Sequence, residues 1–320
     1  MPLVTSKYKP PFHYRNGHVA TIIPSAFRKV IPVNYTRERI NTPDDDFLDL
    51  DWSVIPNSDR LVIVSHGLEG SSGRPYVMGM VEYFNRQGWS ALAWNCRSCS
   101  GEINNVPKFY HHGATEDLTL VVDHALSREV YKQVVLVGFS MGGSMTLKYL
   151  GESSRPQRIR GGIAFSVPVD LKSSVDELAL SKNKFYRRRF LKKLAAKIKV
   201  KAEKFPDIID AAGVDQITHF PEFDNRYTAP LHGFKNADDF YDRASAKHFI
   251  ENIDRPTLLV NAYNDPFLSP ECYPTEMARN HQHFFFESPS HGGHVGFTMS
   301  KKGSSYMDLR AFHFIDELLS

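Results

Sequence analysis

The apolar run Val134-Val135-Leu136-Val137 passes directly into Gly138-Phe139-Ser140-Met141-Gly142-Gly143, and residues with helical preference follow from Ser144 to Leu150. A continuous β-branched run predicts a strand buried on both faces. A Gly-x-Ser-x-Gly turn between such a strand and a helix is the pattern of a nucleophile elbow, in which a serine is held on a tight bend above a parallel sheet. Gly138 and Gly142 keep Cβ atoms out of that bend, while Ser140 takes a strained backbone conformation. The pentapeptide alone occurs in many ordinary turns; its strand and helix flanks make it specific. A serine so placed is a weak nucleophile, so the remaining chain has to supply a base, an acid and two N–H donors for an oxyanion.

Leu61-Val62-Ile63-Val64 is a second buried-type run, leading into Ser65-His66-Gly67-Leu68-Glu69-Gly70. The loop after this strand donates one oxyanion N–H in elbow enzymes. Gly67 allows close approach of the main chain, so the Leu68 and Met141 N–H groups are the candidate pair. His66 is placed to order this loop rather than to act as base. Gly67-x-x-Gly70 lacks a following Gly-Lys-Ser/Thr, which argues against a phosphate-cradling loop.

Helix and strand patterns then alternate: Pro75–Gln87, Ser90–Trp94, Thr115–Leu126, the elbow, Gly161–Val167, Pro256–Ala262, His283–Glu287 and a closing helix at Tyr306–Leu319. This order predicts an α/β fold with a mostly parallel central sheet and helices on both faces. Asp265, in Asn264-Asp265-Pro266, follows one strand; His291 and His294 share the glycine-rich loop after the next. Ser140, Asp265 and a histidine from that loop occur in the order expected of a Ser-Asp-His triad. Spacing alone does not separate His294 from His291, and Asp170 is a lesser rival for the acid.

The 320 residues divide, as an expectation, into an N-terminal arm packed on the core (1–33), the first part of the core (34–170), a helical cap insertion (171–250) and the second part of the core (251–320). Asn16-Gly17-His18 in the arm reads as a turn. Phe47-Leu48-Asp49-Leu50-Asp51-Trp52 alternates apolar and acidic residues, as in a half-exposed strand. Asp44, Asp45, Asp46, Asp49 and Asp51 lack the spacing of a calcium loop, so a solvated turn and strand face is expected there. Cys96 and Cys99 have no second pair to complete a zinc site, and Cys272 stands alone. No metal or cofactor is expected.

A net charge of +3 does not favour nucleic acid as a partner. No segment reaches the roughly 18 apolar residues of a membrane span, and the first ten residues lack the apolar core of a signal peptide; with three cysteines, this gives a cytoplasmic expectation. Lys182–Lys204 carries eight lysines and three arginines against one acid, Glu203. Phe190, Leu191, Leu194, Ile198 and Ala202 recur at helical spacing, the pattern of a basic amphipathic helix that either presents a solvated face or makes weak peripheral contact with a membrane.

At Gly138–Gly142 with His66-Gly67 the sequence resembles the α/β-hydrolase superfamily. Asn16-Gly17-His18, Phe47–Trp52, His66–Gly70, Arg97–Gly101, Tyr110-His111, Asn264-Asp265-Pro266 and Gly292–Phe297 are similar to its YheT-like subgroup, relatives of the abhydrolase-domain esterases. The resemblance implies the triad Ser140, Asp265 and His294 and esterase activity on a small-molecule carboxylic ester, expected to carry a short- to medium-chain acyl group, with acyl transfer or thioester hydrolysis as neighbouring chemistries. A non-catalytic binding protein on the same fold is the alternative of a different class. Two positions depart from the subgroup pattern: Ala20, where glutamine often follows the early histidine, and Ser98, where glycine is usual.

Overall fold

The structure, a computed structural model, describes residues 2–299 and 305–319. Nine strands form one sheet: β1 (Leu3–Val4), β2 (Thr36–Asn41), β3 (Phe47–Ser53), β4 (Arg60–Ser65), β5 (Ser90–Asn95), β6 (Gln133–Phe139), β7 (Ile159–Phe165), β8 (Thr257–Val260) and β9 (Phe284–Glu287). Their order is β1-β9-β8-β7-β6-β4-β5-β3-β2. From β1 to β5 all neighbours run parallel, and β3 and β2 add an antiparallel edge.

Side chains alternate across each strand, so the apolar runs bury both faces. Leu61, Ile63, Leu136 and Trp94 pack on one side against α3 (Thr115–Ser127) and α4 (Met141–Glu152). Val62, Val64, Val135 and Val137 pack on the other against α2 (Pro75–Arg86) and α11 (Tyr306–Leu319). Register places Ser65 opposite Gly138 and Phe165 opposite Val260, so β4, β6, β7 and β8 end level. Their following turns are thereby gathered on one rim of the sheet, the usual ligand-binding edge of an open α/β sheet.

Two expectations are corrected. β3 is buried rather than half exposed. Asp49 and Asp51 face Arg39 and Arg37 across the β2–β3 ladder, at 2.7 Å in both pairs, and Asp44, Asp46 and Asp117 surround the buried Arg97 guanidinium. Their negative charge is neutralised by arginine rather than by water. Asn16-Gly17-His18 is not a free turn but the start of α1 (Gly17–Phe27): the Asn16 side chain accepts from the His18 and Val19 N–H groups at 3.0 and 3.2 Å.

Between β7 and β8 the chain is helical. It comprises α5 (Leu171–Ala179), α6 (Lys184–Lys204), α7 (Phe220–Phe223), a π-helical turn at Asp224–Thr228, α8 (Ala229–Leu231) and α9 (Ala237–Ala244). Leu178, Leu191, Ile198, Phe223 and Phe240 form a separate apolar cluster here, which Phe267 joins from the loop after β8. α10 (Thr275–Asn280) then leads to β9. Among the described residues no helix is long and apolar enough to cross a membrane.

Candidate active site

β6 delivers Ser140 into a tight bend on the sheet rim, with φ 52° and ψ −117°. A non-glycine residue held there stores about 1–3 kcal/mol of backbone strain. Neighbouring structure imposes it: the Ser140 N–H donates to Phe165 O at 2.8 Å, and Ser140 O accepts from the Ser144 N–H at 3.0 Å in the first turn of α4. The flanking glycines are required by close approach. A Cβ on Gly138 would lie 2.3 Å from Gly142 O, and one on Gly142 would lie 2.3 Å from Ser65 O. These partners are backbone atoms and cannot rotate away.

The structure brings Ser140, Asp265 and His294 together. His294 Nε2 lies 2.9 Å from Ser140 Oγ, and His294 Nδ1 lies 2.9 and 3.1 Å from the two Asp265 carboxylate oxygens. The Asp265 side chain is wholly buried, and its Oδ1 also accepts from the Phe267 N–H at 2.9 Å. This pairing keeps the proton on Nδ1, so Nε2 presents its lone pair to the serine hydroxyl. The Phe267 ring covers the imidazole at 4.0 Å between centroids.

His291 goes elsewhere: its Nδ1 lies 3.5 Å from Asn264 Nδ2, in a groove beside the N-terminal residues. Asp170 caps α5 by accepting from the Ser173 N–H at 3.0 Å and pairs with Lys247 at 2.6 Å. His66 uses both ring nitrogens on the main chain, donating from Nδ1 to Gly67 O at 2.7 Å and accepting at Nε2 from the Cys96 N–H, in the turn after β5, at 3.1 Å. Ser98 takes the positive φ of 61° that glycine would accept more readily, and its hydroxyl bonds the Asn104 side chain.

Two features position N–H groups beside Ser140. Met141 is the first residue of α4, so its N–H has no acceptor within the helix. In the β4 loop, Gly67 donates to Tyr76 Oη at 3.0 Å, Glu69 to Tyr110 Oη at 3.1 Å and Gly70 to Gly67 O at 2.9 Å. The Leu68 N–H has no acceptor among the described hydrogen bonds, and Leu68 lines the cavity at Ser140. Burial pushes the Tyr76 phenol up to about 12, which keeps it neutral at this post.

α1 is the contributor that sequence patterning missed. Thr21 Oγ1 accepts the backbone N–H of His294 at 2.9 Å and donates to Gly17 O at 2.7 Å. A Cβ on Gly296 would meet Ala20 O at 2.0 Å, so the helix backbone lies directly on the histidine loop. The available signal was Asn16 as an N-cap, obscured by Gly17, the β-branched Val19, Thr21, Ile22 and Ile23, and Pro24.

Ser140 and His294 stand at the waist of a two-lobed cavity, with Leu68, Phe190 and Phe267 shared by both lobes. The inner lobe is lined by apolar side chains of the helical region, including Val175, Leu178, Leu194 and Phe223. Asp224 is buried in its wall, accepting from Tyr241 Oη and Thr228 Oγ1 at 2.6 Å each. The outer lobe opens between α1 and α6 and carries Arg28, Arg74, Arg189 and Lys193. Burial, then the Arg74 charge, lowers the Lys193 pKa.

The family described as Hydrolase_4, serine aminopeptidase S33, matches residues 56–282. YheT of Escherichia coli (strain K12), whose name assigns it to the esterases, is 32% identical over 300 residues, covering 92% of this chain and 87% of that protein. Phospholipase ABHD3 of Mus musculus is 28% identical, covering 99% and 80% of the two chains, and the monoacylglycerol lipase of Saccharomyces cerevisiae (strain ATCC 204508 / S288c) is 28% identical, covering 82% and 59%. Among solved structures, the Pyrococcus furiosus esterase Pf2001 superposes with a TM-score of 0.58 at 20% identity, covering 91% of this chain and 98% of that one.

Proposed function

Because the chain belongs to the Hydrolase_4 (serine aminopeptidase S33) family and is an α/β hydrolase of the esterase and lipase type, we propose that it cleaves carboxylic acyl esters through an acyl-enzyme intermediate. The observation that carries this reading is His294 bridging Ser140 and Asp265 within hydrogen-bond reach of both. Ser140 Oγ attacks the ester carbonyl as His294 Nε2 takes its proton. The tetrahedral oxyanion is received by the Leu68 and Met141 N–H groups. His294 then returns the proton to the departing alcohol, and the acyl-serine is released by water in a second cycle with the same groups. Asp265 stabilises the imidazolium through its hydrogen bonds to His294 Nδ1.

The apolar inner lobe supports a short- to medium-chain acyl group as the part bound within residues 171–250, which act here as a cap. The outer lobe takes the alcohol side. Acyl transfer or thioester hydrolysis uses the same residues with another acceptor or leaving group, and a series of p-nitrophenyl esters and acyl thioesters separates these chemistries.

An active-site-directed fluorophosphonate tests the catalytic reading. Native protein is expected to be labelled at Ser140, and Ser140→Ala is expected to lose labelling together with about 10⁶-fold in kcat. Absence of labelling in the native protein, or equal labelling of the alanine variant, leaves only a binding role for the fold.

A further inference from the structure

A helix packed on a globular core turns its apolar stripe inward. α1 has the opposite arrangement. Its buried residues are Ala20, Thr21 and Pro24, which hold it against the histidine loop. Val19, Ile22, Ile23, Ala26 and Phe27, spaced at i, i+3, i+4, i+7 and i+8, lie on the exposed side, with Val19, Ile22 and Ile23 a little over one-third exposed. Phe12 before the helix and Phe27 at its end are 77% and 71% exposed. His18 stacks on Tyr186 and meets its hydroxyl at 3.0 Å, which sets the start of α6 beside α1; Phe185, 59% exposed, adds to the same apolar surface. A contiguous apolar surface of this kind marks an interaction site.

The charge around it has one sign. Residues 1–37 contain no aspartate or glutamate. Arg15 and Lys29 flank α1, and Arg188, Arg189 and Lys192 are exposed on the adjoining part of α6; none of these five forms an ion pair with a carboxylate among the described residues. Ile22 and Phe185 also line the outer lobe that leads to Ser140. Aromatic and aliphatic side chains ringed by cations match the interfacial layer of an anionic bilayer, where the apolar groups sink below the headgroups and the cations stay among them.

We propose that the outward face of α1, together with Phe12 and Phe185, docks the protein on an anionic lipid surface and turns the mouth of the active-site cavity toward it. An ester held in the bilayer then reaches Ser140 without crossing bulk water. The docking itself is independent of the esterase reading; only the delivery of substrate rests on it.

The test is vesicle flotation of the full chain with phosphatidylcholine alone and with phosphatidylcholine plus phosphatidylglycerol, in native protein and in the double variant Ile23→Asp, Phe27→Asp. Neither residue lines the cavity, so turnover of soluble p-nitrophenyl butyrate is expected to remain at the native level, which also reports a folded protein. Native protein is expected to float with the anionic vesicles about tenfold or more better than with the neutral ones. The double variant is expected to bind about a hundredfold more weakly. Failure of the native protein to float with anionic vesicles overturns the proposal, as does undiminished flotation of the variant. A dimer seen by light scattering that the variant dissociates also overturns it, by assigning the face to a second copy. Flotation as expected with no ester turnover in either protein sinks the catalytic reading and leaves docking standing.

Discussion

The turn around Ser140 and the helical stretch between β7 and β8 face the same cavity but are held by different physics. At the turn, backbone meets backbone: the glycine positions are 2.3 Å from a carbonyl oxygen once a Cβ is added. In the helical stretch, aromatic and aliphatic side chains such as Phe223, Tyr227 and Phe240 pack on one another. Backbone contacts cannot relax, whereas side-chain packing tolerates substitution when volume is kept. On the proposed reading, the rim of the sheet would fix which bond is attacked, and the helical stretch would be free to vary which acyl group is held.

Predictions that break this comparison begin at the rim. Asp265→Asn keeps the acceptor for the Phe267 N–H but offers His294 Nδ1 an amide donor. The imidazole proton then moves to Nε2 and blocks attack, and kcat is expected to fall about 10⁴-fold with little change in Tm. A kcat within tenfold of native would remove Asp265 from the proposed mechanism. Gly142→Ala comes next. Its methyl group collides with Ser65 O and His66 O, so a loss of about 3 kcal/mol is expected in denaturant unfolding. A native midpoint would show that the elbow yields as side chains do.

The difference also explains how much of the molecule is legible in sequence. Buried strands announce themselves as unbroken apolar runs, and the elbow as glycines that nothing larger can replace. Strand β3 misleads because Asp49 and Asp51 alternate with leucines, which reads as a solvent-facing edge; their burial depends on Arg37 and Arg39 in another strand. Arg37 and Arg39 share the two-residue period of those acids, which was the available clue. α1 is hidden for a related reason. Its apolar stripe points outward, Pro24 lies inside it, and the bond from Thr21 to the His294 backbone spans 273 positions. The choice between His291 and His294 likewise depends on how one loop lies over α1, which local spacing does not encode.

Within the helical stretch a smaller, selective effect is expected. Leu194 on α6 lines the inner lobe and is only partly buried, so Leu194→Ala enlarges the lobe at a stability cost of about 1 kcal/mol. The ratio of kcat/KM for a ten-carbon over a four-carbon p-nitrophenyl ester is expected to rise about tenfold, while kcat on the four-carbon ester stays near native. An equal loss on both esters would mean that the lobe wall also positions the triad, and the division between rim and helical stretch would fail.

The smallest effect concerns Asp224, whose carboxyl sits in the wall of that lobe. Burial pushes it up to about 6 from an ordinary value of 3.8, outweighing the hydrogen bonds from Thr228 and Tyr241. The folded protein therefore retains a proton that the unfolded chain has released between pH 4 and 6. By linkage, its stability falls as pH rises through that window and stays lower above it, the reverse of a salt-bridged carboxylate. Asp224→Asn keeps one acceptor oxygen and cannot ionise. Its Tm is expected to gain a few degrees on the native protein between pH 4 and 7, with turnover of the four-carbon ester unchanged. A Tm difference that is flat across that range would show the carboxylate ionised at its ordinary pKa, solvated from within the cavity, and would mean that the lobe wall at Asp224 is wet rather than apolar.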